Sequence, residues 1–133
     1  MKLLLDTHAF IWSLSNPKKL PISASDAITN TENEVFVSSV SFWEISIKVR
    51  NNRLALIGHE PSTLVVAAES MGFIPVPITP IDAASQGTLL ESTHFDPFDR
   101  MLIWQAISRK MTLVSGDTEF TRFKKDGLKL LWR

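Results

Sequence analysis

Five carboxylates in this chain fall where chemistry could be done: Asp6 directly after Leu3-Leu4-Leu5, Glu44 in Ser41-Phe42-Trp43-Glu44, Asp96 and Asp99 around Pro97-Phe98, and Asp117 after Val114-Ser115-Gly116. Acidic groups crowded into one cleft repel one another by roughly 4 kcal/mol per pair at about 4 Å and an effective dielectric near 20. Such a cluster keeps protons or takes up a cation. Oxygen donors contributed by separate elements suit Mg²⁺ or Mn²⁺, which retain waters and pair readily with a substrate phosphate. The chemistry on offer is hydrolysis of a phosphodiester by water that one or two divalent ions make nucleophilic.

Each acid also has a plainer explanation. Carboxylates favour helix N-termini, where capping and the helix dipole contribute about 0.5 to 2 kcal/mol. Ser41-x-x-Glu44 has the form of a capping box and Lys48 stands four residues beyond Glu44, so that acid taken alone reads as structural. Asp96 fits an N-cap with Pro97 in the first helical position, and Arg100 four residues on is its local ion partner. Asp99 differs, because the next turn offers it only Leu102 and Ile103. Asp6 faces Ala9 and Phe10, and Asp117 faces Phe120 and Thr121, so neither has a basic partner at helical spacing.

The elements that must carry these acids follow from hydrophobic periodicity. Short runs at Lys2 to Leu5, Val35 to Ser38, Phe73 to Ile78, Thr112 to Ser115 and Leu128 to Trp132 predict strands. Helical spacing marks 8–14, 23–30, 41–50, 62–71, 81–90 and 97–109. Strands alternating with helices predict an α/β fold, a parallel sheet with helices on both faces, whose ligands bind beyond the carboxyl ends of the strands. Pro75 and Pro77 place the third strand at an edge, since proline donates no ladder hydrogen bond.

Composition narrows the field. At 133 residues and 44% hydrophobic, the chain is expected to form one domain, residues 1–133, with a substantial core. The longest apolar run, Leu64 to Ala68, is far shorter than the roughly 20 residues needed to cross a bilayer. Without cysteine there are no disulfides or thiolate ligands, which fits a cytoplasmic protein. The net charge is zero, but residues 95–133 hold 8 basic and 5 acidic side chains and residues 1–94 hold 6 and 9. That tilt suits a polyanion. Arg100, Lys124 and Lys125 are the candidates for contacting the phosphates of such a partner.

Asp6-Thr7-His8, Trp43-Glu44-Ile45 with Lys48, Asp96-Pro97-Phe98-Asp99-Arg100 with Leu102-Ile103 and Gln105-Ala106, and Ser115-Gly116-Asp117 together resemble the PIN-domain ribonucleases, specifically the VapC-type toxins of toxin-antitoxin modules. The likeness runs from residue 1 to Leu131-Trp132. It implies a PIN-like fold built on a central five-stranded parallel sheet. It also implies an endoribonuclease that cuts single-stranded RNA with Mg²⁺ or Mn²⁺, a homodimer, and an antitoxin that covers the pocket. The family's catalytic and metal-binding acids map onto Asp6, Glu44, Asp99 and Asp117, with Thr7, Asp96 and Ser115 supporting them from outside.

Other readings are weaker. His8, His59 and His94 lack the spacing of a zinc helix, and His8 either meets substrate phosphate or caps the first helix. Trp12, Trp43, Trp104 and Trp132 could stack on bases, although tryptophan among Ile and Leu is more often core or dimer contact. A haloacid-dehalogenase-like phosphohydrolase using Asp6 as nucleophile would need a second aspartate two residues on, where His8 stands. A small non-catalytic α/β interaction module would use the acids to hold a partner's basic tail.

Overall fold

A computed structural model describes all 133 residues. The central strand β1 (Lys2–Leu5) has β2 (Glu34–Ser38) on one side and β4 (Thr112–Val114) on the other. The edges are β3 (Ile74–Val76) beside β2 and β5 (Leu130–Leu131) beside β4, and every pairing is parallel. The chain lays down β1, β2 and β3 in one direction and returns to β1 for β4. The crevice at the carboxyl ends of β1 and β4 is thus the point where strand order reverses, the usual ligand position in open parallel sheets.

Alternation along β1 explains the layers. Leu3 and Leu5 point to one face and pack with Phe10 of α1 (Thr7–Ser15), Ala24 of α2 (Ile22–Thr29), Ile45 of α3 (Ser39–Arg50) and Leu64 and Ala68 of α4 (Leu64–Ser70). Leu4 points to the other and packs with Leu102, Ile103 and Ala106 of α6 (Pro97–Ser108) and with Phe120 and Phe123. A strand covered on both faces reads as continuous leucine, as β1 does. The remaining helix, α5 (Pro80–Ser85), is short and leans on α6. No helix is long and apolar enough to cross a membrane.

The edge position of β3 agrees with its prolines, but they also shorten it: pairing ends at Val76, opposite Ser38, before Pro77. The expected strand 128–132 is paired only over Leu130–Leu131, and Trp132 leaves the sheet to lie against Gly116. The expected helix 81–90 stops at Ser85 and continues as a 3-10 turn through Thr88.

The helices that bracket the site are tied together underneath it. Ser38 at the end of β2 donates to Gln105 Oε1 in α6, and both side chains are fully buried. Gln105 donates onward to Asp82 Oδ2 at 3.1 Å, and Arg109 grips both Asp82 oxygens at 2.9 Å. Burial opposes ionisation of Asp82, but Arg109, the Thr79 N–H and Gln105 outweigh it and hold its carboxyl well below the usual carboxylate range. Asp82→Ala leaves Arg109 and Gln105 without that partner and is expected to lower unfolding free energy by about 2 to 3 kcal/mol in urea denaturation at neutral pH. Because the folded-state pKa is depressed, the carboxylate's contribution is complete above about pH 4 and is lost as pH falls toward the folded value, so the gap to the variant should narrow in acid.

Candidate active site

The reversal of strand order puts Asp6 and Asp117 on either side of one crevice. Asp6 leaves β1, its backbone N–H bonded to Val114 O at 3.0 Å, and its Oδ1 caps α1 by accepting from Ala9 N at 2.7 Å. The cap of that helix is therefore Asp6 and not His8, which is exposed beside Trp12. Asp6 is 8% exposed, and burial raises its carboxyl pKa against the opposing Ser115 hydroxyl, Ala9 N–H and His8. The charge of Asp117 pushes in the same direction as burial. Asp117 itself is exposed and caps the 3-10 stretch Thr118–Asp126 by accepting from Glu119 N at 2.9 Å. Ser115, buried beneath it, accepts from Asp117 N at 3.1 Å.

Glu44 enters from α3. That helix begins two residues earlier than its sequence suggests, with Ser38 as the cap accepting from Val40 N at 3.0 Å, so the expected Ser41 to Glu44 capping box does not form. Glu44 lies in the second turn, buried, where Thr7 donates to its Oε1 at 2.6 Å and Lys48 pairs with its Oε2 at 2.7 Å. Thr7 thus ties the start of α1 to α3. Its hydroxyl also sits 3.0 Å from Ser41 Oγ.

From α6 come Asp96 and Asp99. Asp96 is the N-cap, accepting from Asp99 N at 3.0 Å, with Pro97 in the first helical position as the sequence indicates. Arg100 does not pair with Asp96. Its guanidinium donates to the carbonyls of Glu91 at 2.7 Å and His94 at 3.0 Å, holding the preceding loop. That loop delivers a contact the spacing did not suggest: His94 Nε2 lies 2.9 Å from Asp99 Oδ2. Helical periodicity is silent about a residue two positions before an N-cap, so no pattern signals it. Burial raises the Asp99 pKa to about 6, the His94 contact opposing and the charges of Asp96 and Glu44 adding to the rise.

Asp6, Glu44, Asp96, Asp99, Asp117 and Thr7 all line one cleft of about 540 Å³. Arg100, Lys124 and Lys125 do not line it. Lys125 instead pairs with Glu91 at 3.1 Å, and the lysines and arginine at the cleft are Lys48, expected beside Glu44, and Lys19 and Arg133, which no sequence pattern pointed to.

A PIN domain model matches residues 3–126 of this chain. The chain belongs to the PIN domain family. It is 33% identical over 114 residues to Ribonuclease VapC22 of Mycobacterium tuberculosis (strain ATCC 25618 / H37Rv), covering 86% of this chain and 85% of the relative. Its fold is similar to that of VapBC2 from Rickettsia felis bound to a DNA fragment from their promoter, with a TM-score of 0.72, 17% identity and 100% of both chains covered. It is also similar to VapBC-1 from nontypeable Haemophilus influenzae, with a TM-score of 0.68, 13% identity, and 98% of this chain and 97% of that one covered.

In this PIN domain the donor set is chemically right for a hard divalent cation. It consists only of carboxylate and hydroxyl oxygens, and burial and mutual charge work against ionisation of Asp6 and Asp99. No three of the candidate ligands converge into a ready-made cage. Mg²⁺ does not require one, since it is commonly held by one or two carboxylates with waters and substrate oxygens completing the shell.

The perturbed Asp99 gives a stability test. An acid whose folded pKa lies above its unfolded value destabilises the fold once ionised, so the penalty begins near pH 4 and is complete above about 6. Asp99→Asn, measured without divalent ions, should match wild type at low pH and gain on it across that window, by about 1 to 3 kcal/mol above pH 7, the lower figure allowing for solvent screening of the partly exposed carboxyl. A variant markedly less stable at pH 7 would make Asp99 a structural residue.

Proposed function

We propose that this chain is a ribonuclease, the toxin of a toxin-antitoxin pair, and that it cuts single-stranded RNA internally with Mg²⁺ or Mn²⁺. The observation that carries the proposal is the arrival of Asp6, Glu44, Asp99 and Asp117 at one cleft from four separate elements, beside the reversal of strand order. The likeness to Ribonuclease VapC22 supports the same chemistry, and that to VapBC structures supports an antitoxin partner.

Asp6, Asp99 and Asp117 would hold the ion or ions together with Glu44, while Thr7, Asp96 and Ser115 keep those carboxylates in place. When bound, a divalent ion supplies charge to the phosphate oxygens and makes water more acidic. The chain's own contribution is orientation. Thr7 and Lys48 engage the two oxygens of Glu44, which fixes its carboxylate plane. His94 holds Asp99 by Oδ2 and makes no bond to the other oxygen. Burial of Asp6 and Glu44 limits how far bulk water screens those two charges. Lys19 and Arg133 at the rim are placed to meet the RNA backbone.

A second copy of the chain belongs to the same proposal. An apolar groove of about 420 Å³ between α3 and α6, lined by Trp43, Phe95 and Phe98 among others, leaves Trp43 and Phe95 exposed by 56% and 80%. Such a surface favours being covered.

The test is cleavage of a labelled single-stranded RNA by the purified chain. Activity should vanish with a chelator and return with Mg²⁺ or Mn²⁺. Asp6→Asn and Asp99→Asn should each lose at least about 100-fold in rate with an unchanged circular dichroism spectrum. Cleavage unaffected by chelation or by both variants would refute the proposal. Turnover of a small phosphate ester with phosphate trapped on Asp6 would point to phosphohydrolase chemistry instead.

A further inference from the structure

The cleft is lined by aromatic side chains as well as by acids. Alongside the carboxylates the cleft is lined by two indoles, Trp12 from α1 and Trp132 from the end of the chain, 5.9 Å apart between ring centroids and inclined at 45°. Both pack against the core of the β1 face while lining the cleft, so each presents a rigid, partly exposed surface beside the acids. Trp132 is held there by a close approach. A Cβ on Gly116 would stand 2.6 Å from Trp132 Cε2, so the indole occupies the space a side chain would take next to Asp117.

The ring of Trp12 is covered by a mobile kind of group, the exposed Lys19, whose Nζ lies 5.6 Å from the ring centroid. A phosphate arriving at the rim attracts that ammonium and uncovers the ring. A basic peptide would have to displace like charge from the same place. Arg133, also at the cleft, biases the choice in the same direction.

We propose that the Trp12 and Trp132 wall seats an unpaired nucleobase beside the acidic floor, with Lys19 and Arg133 taking the adjoining phosphates. The proposal rests on the ribonuclease reading and adds how a strand is recognised. Stacking accepts any base, because every base has a π face, but it excludes a base still paired in a duplex. The wall therefore selects unpaired RNA and sets which phosphate reaches the carboxylates.

The experiment uses the full chain carrying Asp99→Asn and a fluorescein-labelled hexaribonucleotide, with anisotropy as readout. A series of otherwise identical strands each lacks one base. Removing the base that stacks should weaken binding about 5- to 100-fold at a single position. Trp12→Leu should weaken binding of the intact strand by a similar factor and make it indifferent to the missing base, the signature of a coupled pair. Trp12→Phe should restore most of the loss. Gly116→Ala, which pushes the Trp132 indole aside without changing charge, should weaken binding in the same position-dependent way. Equal affinity for all strands, or a penalty that persists unchanged in Trp12→Leu, overturns the proposal. Loss of binding to an arginine-rich peptide in Trp12→Leu, with RNA binding intact, would assign the wall to a protein tail and overturn it too. Cleavage by the unmodified chain in the same buffer separates the two levels: no cleavage with Mg²⁺ or Mn²⁺ defeats the ribonuclease reading, whereas normal cleavage without base dependence defeats only the base seat.

Discussion

Everything at the carboxyl edge of this sheet is arranged around negative charge that the protein only partly neutralises. Asp6 and Glu44 are each 8% exposed, and removing a carboxylate from water is costly unless a partner replaces the lost solvation. Lys48 serves Glu44 and His94 serves Asp99. Asp6, Asp96 and Asp117 have hydrogen-bond donors and no ion pair with lysine or arginine. The fold tolerates this imbalance because β1 and its neighbours are anchored on both faces by leucine, isoleucine and phenylalanine. A cleft built on such a scaffold can hold groups that would prefer to move apart.

Away from the cleft, the buried carboxylates Asp82 and Glu91 are each paired with a cation and hydrogen-bonded. Glu91 is 4% exposed, and Thr93 and Lys125 bring its pKa down to about 2, against a small opposing effect of burial. Asp126 accepts from the N–H groups of Leu90 and Glu91, so the final 3-10 stretch is fastened to the loop before α6. Arg100 holds the same loop from the other side and also lies over the Phe123 ring. The result is a fixed position for His94, and through it for Asp99. Lys125, a plausible RNA contact on charge alone, is committed to this fastening. Asp82 and Glu91 are thus stabilised as carboxylates, whereas burial works against ionisation of Asp6 and Asp99 in the cleft.

The class and order of the elements were readable from the sequence because they rest on local pattern. Leu3-Leu4-Leu5 reads as a strand buried on both faces, Pro75 and Pro77 mark an edge, and Asp96-Pro97 marks a helix start. Element ends were less readable. Ser38 rather than Ser41 begins α3 because Ser38 can bond both the Val40 N–H and Gln105, and the second of these partners is 67 residues away. The gathering of the acids depended on sheet order, which periodicity does not encode. Two of the cations at the cleft were missed for a related reason: Lys19 and Arg133 reach it from a 3-10 turn and from the terminus, where no repeating pattern points a side chain. The buried clamp of Asp82, Gln105 and Arg109 lay hidden because its members meet across a loop and two helices.

Capping and chemistry appear as rival explanations for the same acids when only neighbouring residues are considered. The geometry makes the two compatible. Capping binds Asp6 through Oδ1 to Ala9, Asp96 through Oδ1 to Asp99 and Asp117 through Oδ1 to Glu119. A carboxylate has two oxygens, and a cap needs one. The bond to the helix N-terminus restrains the carboxylate and leaves its second oxygen outside the cap, which lowers the conformational freedom a ligand would have to remove. A helix start at the end of a β-strand is therefore an economical place for a ligating acid, since the residue that begins the helix is already oriented by beginning it. On this argument the caps of α1, α6 and the final 3-10 stretch converge on one cleft because the topology brings three helix beginnings to the same edge of the sheet.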